Sequence, residues 1–406
     1  VLIADISNPF RDFMLHCGMN VDHTPRRSKD SIFGMGNFFD WAKPDTQEKM
    51  LYVICLDGFS SETILNTWSL NKHIPFIPDF ITQNKNAVVL FENGAEGHCA
   101  EMFEFVHQVT QHYNLSNVFY ANSCVNVSDV FKKSAYESFD VIYAQNYKED
   151  IMLEMDVEQT YDFNTNKRYL FNCLNNAPKA HRALLLGALI ENNLTDNLIS
   201  SPLIDFDELT STTMQYVSKN YDDVVCVKKS LCYLKSLKPL YPMQIDTRND
   251  DIVHMKRIGD SNFYEKLLDC DIQLVTESTV GDELYFTEKV FKPIILNQPF
   301  VLFGPRGLYS HFRSLGYKTY DHLIDEVELY DDELNLFTKI NMLINTLNTL
   351  SSKKHTSLWD DIVLQNKKCA KHNYETFLNR CNMIQRKTKM SLETWLEVYP
   401  DFQKIF

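Results

Sequence analysis

Short apolar runs closed by turn-forming residues recur through the first half of the chain: MLYVICLDGF (50–59), NAVVLFENG (86–94), NVFYANS (117–123) and FDVIYAQNY (139–147). Between the second and third, CAEMFEFVHQVTQHY sets Met102, Phe105, Val106 and Val109 at helical spacing. Apolar strands that alternate with amphipathic helices at this interval predict a parallel α/β sheet buried on both faces. A polar passage, DVEQTYDFNTNK (156–167), interrupts the pattern, and the cycle then restarts. KRYLFNCLNN (167–176) reads as a strand, PKAHRALLLGALIENN (178–193) as a helix opened by Pro178, and LLDCDIQLVTES (267–278) and PFVLFG (299–304) as strands, with YKTY (317–320) as a further one. From about 330 onward the spacing turns helical, in LNLFTKINMLINTLNTL and in SLWDDIVLQNKKCAKHNYETFLNRCNMIQ. The expected organisation is a first α/β domain at 1–160, a second at 161–330 and a helical tail at 331–406, with no internal repeat.

A length of 406 residues is too great for one ordinary core, which independently calls for two domains. The net charge of −14 argues against a surface built mainly for nucleic-acid phosphates, because that affinity comes from Lys and Arg displacing counterions. Two local basic stretches, TPRRSK (24–29) and VKKSLCYLKSLK (227–238), are the candidates for a basic groove. No apolar run reaches membrane-spanning length, and no basic-then-apolar leader opens the sequence, whose missing initiator Met reads as trimming or a removed tag. The ten cysteines are scattered without Cys-x-x-Cys or zinc spacing, as expected of free thiols in a cytoplasmic, soluble protein that binds no metal.

In parallel sheets ligands sit outside the carboxyl ends of the strands, so the residues that follow each strand are the candidates for function. Thr287-Glu288-Lys289 stands at the mouth of an apolar helix. With Thr287 as N-cap, Glu288 suits the helix dipole, whereas Lys289 is set against it unless an anion joins it. A diphosphate would resolve that conflict; a solvated helix start would use the same residues. Arg182, in the first turns of the helix after the 167–176 strand, has the fork geometry to grip phosphate oxygens or to pair with a surface carboxylate. In the first domain, FENGAEGH gathers Glu92, Glu96 and His98 past one strand, and Asp57 closes another, which makes Glu92 and Glu96 candidates for a general base and Asp57 either a partner or a turn residue. Neither Gly-x-Gly-x-x-Gly, a P-loop nor Gly-x-Ser-x-Gly occurs, which disfavours dehydrogenases, P-loop enzymes and α/β-hydrolases. The acidic positions Asp260, Asp269, Asp271, Asp331 and Asp332 read as solvated.

TES (276–278) followed by YFTEKVFKPIILNQPFVLFG (285–304) resembles the donor-binding signature of the fucosyltransferase family of inverting glycosyltransferases, family ten type. The resemblance is specific over 271–305, weaker over 167–190 and absent before 160; Lys292-Pro293 departs from the usual Asn-Ala, and Pro293 lies deep enough to kink the helix. What it implies is an α/β fold of two Rossmann-like domains facing a cleft, the B-type glycosyltransferase architecture, and a nucleoside diphosphate sugar donor, usually GDP-fucose, used without a metal or other cofactor. Glu277, Ser278, Tyr285 and Thr287 fall into the motif's order. Glu288 is implied to hold the ribose, and Lys289 and Arg182 the diphosphate. The style of the motif also resembles virus- and phage-encoded transferases, which implies a glycan or a modified DNA base as acceptor. The expected reaction is a single displacement in which Glu92 or Glu96 takes the acceptor proton. The alternatives are a viral transferase acting on a hydroxylated DNA base and a non-catalytic protein that binds nucleotide or sugar.

Overall fold

The computed structural model describes residues 2–4, 20–22, 50–55, 77, 79–93, 99–143, 160–175, 179–201, 205–243, 266–324 and 326–387. Contacts divide the chain into two compact units, one of Val1–Tyr147, Glu283–Tyr285 and Asn382–Phe406, the other of Lys148–Asp282 and Phe286–Cys381. The motif TPRRSK lies outside the described residues.

In the first unit, β1 (Leu2–Ala4) and β2 (Asn20–Asp22) form a parallel pair. β3 (Met50–Cys55), β4 (Ala87–Asn93), β5 (Val118–Asn122) and β6 (Asp140–Tyr143) form a four-stranded parallel sheet in that order, each strand inside the apolar run that predicts it. All of β5 is buried, as a strand covered on both faces must be. The short helix α1 (Asp79–Thr82) precedes β4, α2 (Ala100–Tyr113) joins β4 to β5, and α3 (Val127–Lys132) joins β5 to β6. The predicted stripe of α2, Met102, Phe105, Val106 and Val109, is wholly buried. Phe103 adds an edge-on contact to Tyr120 of β5, with centroids 6.0 Å apart. The helix ends at Asn114, whose left-handed φ of 52° lets the Asn114 and Leu115 N–H groups return to the carbonyls of Gln111 and Thr110.

The start of α2 is capped from far along the chain. Cys99, at its N-cap, offers no side-chain cap, and the Glu283 carboxylate accepts instead from the backbone N–H of Cys99 at 3.0 Å and of Ala100 at 2.8 Å. Leu284 follows with its own backbone bonds, accepting from Val125 N at 2.7 Å and donating to Asn126 Oδ1 at 3.0 Å.

The second unit is built on β7 (Tyr169–Leu174), β8 (Leu198–Ser200), β9 (Cys270–Thr276) and β10 (Phe300–Phe303), all parallel, in the order β10-β9-β7-β8. Helix α4 (Ala180–Glu191) joins β7 to β8; α5 (Phe206–Asn220) and α6 (Val224–Leu237) follow β8. The basic motif 227–238 falls on α6, where Lys228 and Lys235 are exposed. Helix α4 is buried from His181 to Leu189, as its nearly unbroken apolar sequence requires. It passes so close to α6 that a Cβ on Gly187 would stand 2.4 Å from the Tyr233 carbonyl oxygen. Backbone cannot yield there, so Gly187→Ala is expected to cost about 2–3 kcal/mol of stability, read as a lowered midpoint in urea with an unchanged slope.

Helix α7 (Glu288–Ile295) leads into β10, followed by α8 (Leu308–Ser314), α9 (Val327–Asp332), α10 (Leu336–Lys353) and α11 (Ser357–Lys387), so the chain is mixed α/β with a helical C-terminal region. No described helix is long and apolar enough to cross a membrane. On α8, His311 stacks on Phe286 at 5.1 Å, and burial pushes its imidazole down to about 4 from an ordinary value of 6.5. A folded-state pKa below the unfolded one means that the neutral ring's contribution is complete above pH 6.5 and is lost as pH falls through about 4. Acidification across that window is expected to lower stability by at most about 3 kcal/mol, and thermal melts of His311→Leu should show a correspondingly flatter dependence on pH.

Two expectations are corrected. YKTY is not a strand: the Lys318 N–H donates to Asn373 Oδ1 at 2.7 Å and the Lys318 carbonyl accepts from Asn373 Nδ2 at 2.9 Å, so an α11 side chain takes the place of a neighbouring strand. Asp271 and Asp331 are not solvated. Asp331, 1% exposed, accepts from the N–H groups of Tyr309 and Ser310 and from the Ser310 hydroxyl, capping α8; Asp271, 5% exposed, meets Lys354 Nζ at 2.8 Å. Burial raises the Asp271 carboxyl above its ordinary range.

Candidate functional site

From β7 the chain runs through α4 to β8 on one side and later reaches β9 on the other. The carboxyl ends of β7 and β9 are therefore the topological switch point of this sheet, where open α/β sheets hold ligands. Buried polar residues concentrate there. The Thr276 hydroxyl, at the last residue of β9, donates to Asn175 Oδ1 just past β7 at 2.6 Å. Arg182 Nη2 donates to the Thr276 and Glu277 carbonyls, each at 3.1 Å, and His181 Nε2 donates to the Glu277 carbonyl at 3.0 Å. Arg182 is 2% exposed. Its fork is turned inward onto the carbonyls that end β9.

Glu277, the residue after β9, is fully buried, and both carboxylate oxygens are spent on the start of α7. Oε1 accepts from the Thr287 N–H at 3.0 Å, and Oε2 accepts from the Thr287 hydroxyl at 2.6 Å and from the Ser278 N–H at 3.2 Å. Thr287 caps α7 in turn, its hydroxyl oxygen accepting from the Lys289 N–H. Gly304 makes room for this arrangement, since a Cβ there would stand 3.0 Å from that of Glu277 and 2.7 Å from Leu308 Cδ2. Lys339, a buried residue with no counterpart among the sequence candidates, donates to the Gly304 carbonyl at 3.0 Å; burial pushes its ammonium down to about 8. The first turn of α7 is thereby pinned to the carboxyl end of β9.

What this start presents outward is Glu288 and Lys289, with side chains 20% and 25% exposed. Lys289 Nζ lies 3.0 Å from Glu288 Oε1 and 3.3 Å from Thr287 Oγ1. A lysine at the positive end of a helix dipole is thus compensated inside the protein by Glu288 directly and, through the Thr287 hydroxyl, by the buried Glu277 charge. Ser278 is half-buried at the same strand end, while Tyr285 is 2% exposed and, with Glu283 and Leu284, belongs to the first unit. Pro293 sits in the last turn of α7, which runs through it to Ile295 and closes on Asn297 at φ 56°. There the N–H groups of Asn297 and Gln298 return to the carbonyls of Ile294 and Pro293, so the helix is short, and its first turn is formed before the proline can interrupt the ladder.

Of the proposed bases, Glu92 lies on β4 in register with Cys55 and Ala121. Asp57 and Glu96 lie outside the described residues. Described polar groups at that carboxyl edge include Asn93 and Asn122, whose amides both donate to the Tyr120 hydroxyl, at 3.3 and 2.9 Å. These asparagines end β4 and β5, a position that the strand boundaries alone would have marked.

No family model and no curated protein matches this sequence. Among solved structures, the chain is similar to the DNA-modifying enzyme β-glucosyltransferase, crystallised in the presence and absence of its substrate uridine diphosphoglucose. The alignment covers 100% of this chain and 99% of that one at 11% identity, with a TM-score of 0.43. A likeness of that degree establishes neither a common fold nor a common chemistry.

Proposed function

We propose that the chain is an inverting glycosyltransferase that moves a hexose or fucose from a nucleoside diphosphate sugar, with GDP-sugars favoured, to the hydroxyl of a glycan or of a modified DNA base. The observation that carries this reading is the start of α7, fixed to the carboxyl end of β9 at the switch point with Lys289 at its surface. The positive end of the α7 dipole and the Lys289 ammonium meet there, which suits a leaving diphosphate. The diphosphate takes the place of Glu288 on Lys289, and the freed Glu288 carboxylate accepts from the ribose hydroxyls. Arg182 and Glu277 act by holding this geometry, one through the strand carbonyls and the other through Thr287. The base is a carboxylate of the first unit, Glu92 or Glu96, which takes the proton of the acceptor hydroxyl as it attacks the anomeric carbon and the diphosphate leaves.

Separate Glu92→Gln and Glu96→Gln variants test the division of labour in an assay of nucleoside diphosphate release from GDP- and UDP-sugars with mono- and oligosaccharide acceptors. One of the two is expected to lose transfer by about a hundredfold or more with donor affinity unchanged. Full transfer in both would place the base elsewhere.

A further inference from the structure

We propose that Phe206 and Tyr241, beyond the carboxyl end of β8, form the platform on which the base of the bound nucleotide stacks; this rests on the donor reading above. The segment 241–243 is tied to the end of β8 by paired backbone bonds, Ser201 N to the Met243 carbonyl at 2.7 Å and Met243 N to the Ser201 carbonyl at 3.2 Å. Because the pairing is antiparallel, Tyr241 extends past the strand end, where Phe206 opens α5. The two rings meet edge to face with centroids 5.5 Å apart, and Lys238 Nζ stands 5.7 Å from the Phe206 centroid. Both rings are half-buried, whereas Phe303 and Tyr309, at β10, are 3% exposed or less. Ser200, the last residue of β8, has a fully buried hydroxyl with no hydrogen-bond partner, a polar group still unspent at this strand end.

Position and charge set the orientation of the nucleotide. β8 lies two strands from β9, roughly 10 Å across the sheet, a separation suited to a base and a diphosphate joined by one ribose. The start of α5 is unsuited to the diphosphate, because Asp205 caps it and Asp207 and Glu208 occupy its first turn. Those carboxylates instead suit the N–H and O–H donors of a base and ribose. Phosphate thus falls to α7 with its lysine, and base to α5 with its aromatic pair.

The test is isothermal titration of the full chain with GDP, UDP and inorganic pyrophosphate, using wild type, Phe206→Ala, Tyr241→Ala and Lys289→Ala. Loss of a stacking ring is expected to weaken the favoured nucleotide roughly ten- to a hundredfold while leaving pyrophosphate affinity unchanged, and Lys289→Ala is expected to weaken both. Phe206→Leu and Tyr241→Leu, which keep apolar volume without the ring, should behave as the alanine variants do and remain informative should those fail to fold. Nucleotide affinity unchanged in the platform variants but lost in Lys289→Ala would overturn the platform and leave the clamp standing. A wild type that binds none of the three probes would overturn the donor reading itself.

Discussion

Lys289→Ala is expected to abolish turnover of the cognate sugar nucleotide, by a hundredfold or more, while the fold stays intact. The two expectations have separate physical grounds. Lys289 contributes to the proposed chemistry as an ammonium at the pinned start of α7, where the leaving diphosphate gathers charge, and removal of a single preorganised donor to such charge typically costs about 10²–10³ in rate. It contributes little to stability, because its partner Glu288 is also partly solvent-exposed and ion pairs of that kind are worth roughly 0–1 kcal/mol. A variant with normal turnover would end the assignment of the diphosphate to α7. A variant that lost activity and unfolded together would show instead that the lysine is structural.

The second large effect is expected at Glu277. Its replacement by alanine strands the buried Thr287 N–H and hydroxyl and takes the acceptor from the half-buried Ser278 N–H, since Glu277 is 0% exposed and both oxygens are engaged. Each buried donor left without an acceptor costs about 1–3 kcal/mol, and because the three share one neighbourhood the sum is expected near 3–5 kcal/mol. Urea unfolding measures that loss. Under conditions where the variant is still folded, donor affinity should fall as well, because Thr287 no longer fixes the first turn of α7. Wild-type stability in Glu277→Ala would mean that α7 holds its place by packing alone.

Much of the fold was legible because parallel strands announce themselves. β3 to β7, β9 and β10 each lie within an apolar run bounded by turn residues, and the α2 stripe from Met102 to Val109 follows helical spacing without exception. Strand β8 was not anticipated: its three residues are too few to carry a periodic signal. YKTY misled for a different reason, since its alternation is genuine but its backbone is satisfied by the Asn373 amide, a partner 55 residues away. Of the candidate site, the positions of its residues relative to the strand ends were legible and the directions of their side chains were not. Sequence spacing locates Arg182 in the first turns of α4 and Glu277 just past β9 but cannot say which way a side chain turns. Both turn inward, whereas an arginine and a glutamate read as ligand contacts would turn out. Asp271 and Asp331 show the same blindness, because a buried ion pair or a buried cap is spelled like a solvated acid. Glu283 could not have been found by local pattern at all, since the helix it caps begins 183 residues earlier.

The most direct test of the central claim, that the start of α7 holds the diphosphate of a sugar nucleotide, is the thermal stabilisation of wild type and Lys289→Ala by GDP, UDP and their sugars. At least one of these ligands is expected to stabilise wild type, by about 2.7 kcal/mol at a hundredfold excess over its Kd, and Lys289→Ala is expected to lose most of that gain. No stabilisation of wild type by any of them, or equal stabilisation of both proteins, would contradict that claim.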